Sequence, residues 1–217
     1  MNPLLHDHRS SDFEAGVAAG RPVAVLLHGY GSNELDLAGL APAIGLALPW
    51  ASLRAPVALG GPAAAWFTIT TPGAPDAEPV EAATDAIWRW VDAVAGEGAR
   101  VVPIGFSQGG LMASQLLRTR PDRVVAPVVL GGFVLGGPQP ADDRLRIEKP
   151  ALLWGRGDAD RVITPQAIAR TADFLPEHTT LVERVYAGLA HGVSGEEIDD
   201  VRAFLATEVG EDAVERL

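Results

Sequence analysis

The chain has 217 residues, 47% apolar and 21% charged, a globular mix on a length that fits one domain over residues 1–217. That composition excludes a disordered chain, and the absence of cysteine excludes a disulfide scaffold, a thiolate metal site and a cysteine nucleophile. The formal charge of −11, with Lys149 the one lysine among 17 basic residues, argues against nucleic acid or an anionic membrane as a partner.

The first twenty residues carry His6, Asp7, His8, Arg9, Asp12 and Glu14 and lack the apolar core of a signal peptide. Residues 22–27, PVAVLL, read as a buried strand that runs into Gly29. Residues 34–46 are rich in Leu and Ala and read as a helix, with Pro42 inside it. Trp50–Leu53 reads as a short strand, and residues 60–79, with four prolines, as loop. Val80, Ala83, Ile87, Trp90 and Val94 recur at steps of three or four, which predicts a helix over 80–94.

Residues 100–104 form the next apolar strand, and 109–118 the next helix. Residues 124–130 and 150–154 read as strands. The longest apolar run, 124–137, has 14 residues and Pro127 within it, short of the roughly 20 that span a bilayer. Thr164 before Pro165 is an N-cap followed by a first-turn proline, opening a helix to about Phe174. Residues 181–186 read as a strand, and the Ser194/Glu197 capping pair opens a last helix with Ile198, Val201 and Leu205 inward. Apolar strands alternating with helices imply an α/β three-layer sandwich, a mostly parallel sheet covered on both faces. Ligands of such sheets sit beyond the carboxyl ends of the strands.

Chemistry concentrates at such strand ends. Gly105-Phe106-Ser107-Gln108-Gly109 is a G-x-S-x-G element between a strand and a helix. A serine on so sharp a turn is strained, and side chains two residues to either side would collide, hence the glycines. The turn exposes the Ser107 hydroxyl, which needs a base to become a nucleophile. Of five histidines, His6, His8 and His178 are expected at the surface, and His28 follows the first strand. His191, in Gly188-Leu189-Ala190-His191-Gly192 after the last strand, is the best-placed base. Asp158 and Asp160 follow the 150–154 strand and compete as the acid that orients it; spacing alone does not choose. The backbone N–H groups of Gln108 and Tyr30 are candidate oxyanion donors, Tyr30 in a His28-Gly29-Tyr30-Gly31 turn.

Together, LLHGYGSNELDL (26–37), GFSQGG (105–110), GRGDADRVITP (155–165) and AHGVSGEEIDDVRAFL (190–205) resemble the phospholipase/carboxylesterase family of α/β-hydrolases, in order over about residues 20–208. The resemblance implies Asp160 as the acid, completing a Ser107–His191–Asp160 triad, with Asp158 a turn residue. It implies Trp66 and Phe67 at the acyl site, with Val162 as a further substrate-binding residue. The valine-proline stretch, Val162-Ile163-Thr164-Pro165, is one residue longer than usual, and no acidic residue follows the Trp-Phe pair.

The expected function is hydrolysis of carboxylic or thio esters of small to medium acyl chains, without metal or organic cofactor, in the cytoplasm. Residues 60–79 and 133–149 are the candidate pocket walls, with no stretch long enough for a cap domain. Lysophospholipase or acyl-protein thioesterase activity uses the same residues. An inactive binding protein of the same fold is the alternative of another class. A homodimer is compatible with the sequence.

Overall fold

The computed structural model describes residues 4–215. Its elements in chain order are β1 (Asp7–Arg9), α1 (Phe13–Ala18), β2 (Val23–Leu27), α2 (Leu40–Ile44), β3 (Trp50–Leu53), β4 (Val57–Gly60), β5 (Ala63–Ala65) and α3 (Ala77–Val94). Then follow β6 (Val101–Phe106), α4 (Gln108–Thr119), β7 (Val128–Leu130), α5 (Asp142–Glu148), β8 (Ala151–Gly157), α6 (Pro165–His178), β9 (Thr180–Tyr186) and α7 (Gly195–Glu208). Seven strands make one sheet in the order β1-β3-β2-β6-β7-β8-β9, parallel throughout except for β1 at the edge. β4 and β5 form a separate antiparallel hairpin. This is the α/β architecture expected, a mostly parallel sheet with flanking helices.

The apolar runs explain the layering. Along β2, Val23, Val25 and Leu27 face one side and pack with Ile87, Trp88 and Trp90 of α3 and Leu111 and Leu116 of α4. Ala24 and Leu26 face the other side and pack with Ile44 of α2 and Val201 and Leu205 of α7. A strand buried on both faces needs no alternation of polar residues.

Some elements differ from the sequence expectation, each for a local reason. Residues 34–46 are not one helix. The Asn33 side chain accepts the Leu35 N–H at 2.9 Å, a 3-10 turn spans Leu37–Gly39, and α2 ends at Gly45 with φ 71°. The 60–79 segment contains strand β5, and α3 starts at Ala77 with Pro79 in its first turn. The 124–130 strand shrinks to Val128–Leu130, because Pro127 lacks a donor and Ala126 takes φ 44°. The 133–149 segment contains α5, and β1 and α1 occupy a stretch that had suggested no element. His178 is buried, not at the surface: its ring stacks on Phe174 with centroids 3.7 Å apart, and Nδ1 donates to the Phe174 carbonyl at 2.7 Å.

Candidate active site

Because β2, β6, β7, β8 and β9 run parallel, the loops that follow them gather at one end of the sheet. Ser107 stands where β6 breaks into α4, with φ 56° and ψ −116°, left-handed backbone that a serine adopts only under strain. The flanking glycines are what allow it. A Cβ on Gly105 would collide with the Gly109 carbonyl, and one on Gly109 would collide with the Leu27 carbonyl oxygen. The Ser107 N–H donates to the Leu130 carbonyl at 2.8 Å, tying the turn to β7.

Three side chains distant in sequence meet there. His191 Nε2 lies 2.9 Å from Ser107 Oγ, and His191 Nδ1 lies 2.7 Å from Asp160 Oδ2. The other carboxylate oxygen, Asp160 Oδ1, accepts the Val162 N–H at 2.7 Å and the Ile163 N–H at 3.2 Å. An ionised carboxylate only accepts, so Nδ1 carries the imidazole proton and Nε2 is left to accept from the serine hydroxyl. Asp160 is nearly out of water, its side chain 3% exposed against 17% for His191. The Phe106 ring packs on the imidazole, with centroids 4.8 Å apart. Asp158 stands apart from this chain and accepts the Gly188 N–H at 2.6 Å, bracing the loop that carries His191.

The candidate oxyanion turn, residues 28–31, is held by a histidine whose role the sequence left open. His28 is fully buried, its Nε2 accepts the Ala55 N–H at 3.1 Å, and its Nδ1 donates to the Gly29 carbonyl at 2.7 Å. That pattern requires a neutral ring, and burial lowers its pKa accordingly. The N–H groups of Tyr30 and Gln108 have no hydrogen-bond acceptor among the described residues. Gln108 also acts through its side chain. Its Oε1 accepts the Trp66 N–H and its Nε2 donates to the Phe67 carbonyl, both at 2.8 Å.

An apolar cavity of about 390 Å³ opens beside Ser107 and His191. Phe67 and Val162 line it, as do Tyr30, Ile69, Pro72 and Phe133. Trp66, expected beside them, does not reach it. Its indole is buried against His28 and donates to the His28 carbonyl at 2.8 Å, so the ring supports the 28–31 turn. Ile69, Pro72 and Phe133 lie in segments the sequence marked as walls, but their individual positions follow from loop paths that carry no periodic signal.

Glu197, at the start of α7, is a second unforeseen feature. Ser194 Oγ accepts its N–H at 3.1 Å, but both carboxyl oxygens are buried without a hydrogen-bond partner among the described residues. The carboxyl lies against the backbone of Gly155 in β8. Burial pushes this acid up to about 7, with Asp200 adding to the rise and the nearby Ser194 opposing it.

The family model described as Phospholipase/Carboxylesterase matches residues 11–209. Solved structures share the fold at low identity. The Bacillus cereus carboxylesterase superposes with a TM-score of 0.77 at 20% identity, covering 95% of each chain. Esterase PE8 gives 0.75 at 23% identity, over 95% of this chain and 100% of the other. Arabidopsis thaliana SOBER1 gives 0.73 at 20% identity, over 87% of this chain and 99% of the other. No curated protein sequence matches the chain.

Proposed function

The chain belongs to the phospholipase/carboxylesterase family, and from that premise we propose that it is a serine esterase acting on carboxylic or thio esters of small to medium acyl chains. One observation carries the reading: an unbroken hydrogen-bonded chain from Ser107 through His191 to Asp160, at the mouth of an apolar cavity. In the reaction, Ser107 Oγ attacks the acyl carbonyl carbon as His191 Nε2 takes the hydroxyl proton. Asp160 holds the imidazole in its tautomer and stabilises the imidazolium that forms. The N–H groups of Tyr30 and Gln108 receive the oxyanion. His191 then gives that proton to the departing alcohol or thiol, and the Ser107 ester remains. Water, deprotonated by His191, releases the acid and restores the serine.

The volume of about 390 Å³ lies at the small end of ligand cavities, which fits acyl groups of modest length. The test is Ser107→Ala. Turnover of p-nitrophenyl butyrate is expected to fall by about 10⁴–10⁶ in kcat with an unchanged melting curve. The parent chain is expected to label with a fluorophosphonate and the variant not to. Parent-level turnover in the variant overturns Ser107 as the nucleophile, and a parent that neither labels nor turns over overturns the reading in favour of a non-catalytic binding protein.

A further inference from the structure

Two of the walls of the apolar cavity are irregular chain. Residues 66–76 contribute Phe67, Ile69, Thr71, Pro72, Gly73 and Pro75, and residues 131–136 contribute Phe133; neither segment contains helix or strand. Such segments hold a shape only where something fixes them. Both are fixed from behind by α6. Arg170 Nη2 donates to the Gly73 carbonyl at 2.6 Å, and Arg170 Nε donates to the Val134 carbonyl at 3.0 Å. Its guanidinium carbon is 5.8 Å from the centroid of the Phe133 ring. The next residue of the helix, Thr171, accepts the Val134 N–H at 3.0 Å, so both polar backbone groups of Val134 are tied to α6.

Arg170 forms no ion pair with a carboxylate among the described residues, and burial and the neighbouring Arg118 both work against its charge. The guanidinium is therefore spent on two backbone carbonyls belonging to two different loops. A second cavity, of about 330 Å³, is lined by Arg170 and Val134 together with Arg118, Gly136, Phe174 and His178. Arg170 thus stands between the two: it touches Gly73 and Phe133, which line the first cavity, and itself lines the second.

We propose that Arg170 is a specificity-determining residue that limits acyl-chain length, holding the acyl cavity closed by lashing the Gly73 and Val134 loops together. The assignment rests on the esterase reading above. Arg170 acts through the walls and touches no reacting atom, so its effect falls on selection between substrates.

The experiment compares the parent chain with Arg170→Met, which keeps the apolar stem, and with Arg170→Lys, which keeps the charge but has no planar fork. The substrates are p-nitrophenyl acetate, butyrate, octanoate and laurate, with thermal melts alongside. For Arg170→Met, kcat/KM on acetate is expected to stay within about twofold of the parent. The octanoate-to-acetate ratio of kcat/KM is expected to rise about tenfold or more, mainly through a lower KM, as one methylene in an apolar pocket discriminates about tenfold or more. Arg170→Lys is expected to shift the ratio in the same direction by a few-fold, and it carries the test if the Met variant does not fold. A uniform change on all four esters, or an unaltered chain-length profile, overturns the assignment while leaving the esterase reading intact. Absence of turnover and of fluorophosphonate labelling in the parent overturns the esterase reading first, and this assignment with it.

Discussion

At the scale of single residues, the site is governed by how close backbone atoms come. Ser107 holds a left-handed backbone because Gly109 lets α4 pass over the Leu27 carbonyl. Gly109→Ala would drive a Cβ into that oxygen, and only backbone can yield. The expected cost is about 3 kcal/mol or more by urea denaturation, near the upper end for overpacking, together with loss of esterase turnover. Gly105 was legible in the sequence, because its collision with the Gly109 carbonyl is local to five consecutive residues, whereas the approach of Gly109 to Leu27 joins distant parts of the chain. Trp66 and His178 were not legible. Trp66 is committed to the His28 carbonyl, 38 positions away, and His178 is covered by packing around Phe174, over which Arg118 also lies. The Trp66 partner leaves no periodic or adjacent trace in the chain; Phe174 and His178 are four residues apart on α6, but the sequence predicts that helix only to about Phe174. Asp160 was separated from Asp158 by resemblance alone, and in the structure the two carboxylates differ in what they accept: an imidazole in one case and a loop amide in the other.

At the scale of elements, α6 links the Asp160 loop to the cavity walls. It begins just after Val162 and Ile163, whose N–H groups hold Asp160, and it carries Arg170 behind the walls. Its start is fixed by Thr164, whose side chain accepts the Ala167 N–H at 3.3 Å, with Pro165 in the first turn. Thr164→Ala is expected to cost about 1 kcal/mol in urea denaturation, the ordinary worth of an N-cap. The larger helices and buried strands were readable because helical spacing and unbroken apolar runs are strong signals. The short elements were not: β1 and α1 are brief and partly polar, and β5 is three alanines whose strand state depends on pairing with β4. The Ser194/Glu197 pair shows where a motif outruns the geometry. The serine caps the helix, but the glutamate turns inward to Gly155 instead of completing the box.

At the scale of the whole molecule, two buried titratable groups set opposing slopes of stability with pH. Glu197 is pushed up to about 7, so between the unfolded carboxyl range near 4.5 and pH 7 the folded chain holds a proton that the unfolded chain releases. Stability therefore falls as pH rises through that interval. Glu197→Gln is expected to raise stability at pH 8 by up to about 3 kcal/mol and to leave it unchanged at pH 4, as read by urea denaturation at each pH. His28 works in the other direction: its lowered pKa makes protonation costly to the fold, so its share of stability is lost as pH drops below about 6.5. The parallel sheet itself could be inferred from the sequence, since strands buried on both faces lack alternation. The antiparallel edge could not, because it depends on which neighbour β1 finds. The contact of Gly109 with the Leu27 carbonyl also sets unequal terms for descent with change. Cavity walls lashed by side chains can drift by small steps and offer selection new substrates one at a time. The joint between β2 and α4 permits no such gradual path, since every larger residue there meets backbone at once; novelty in this lineage has to come from the rim.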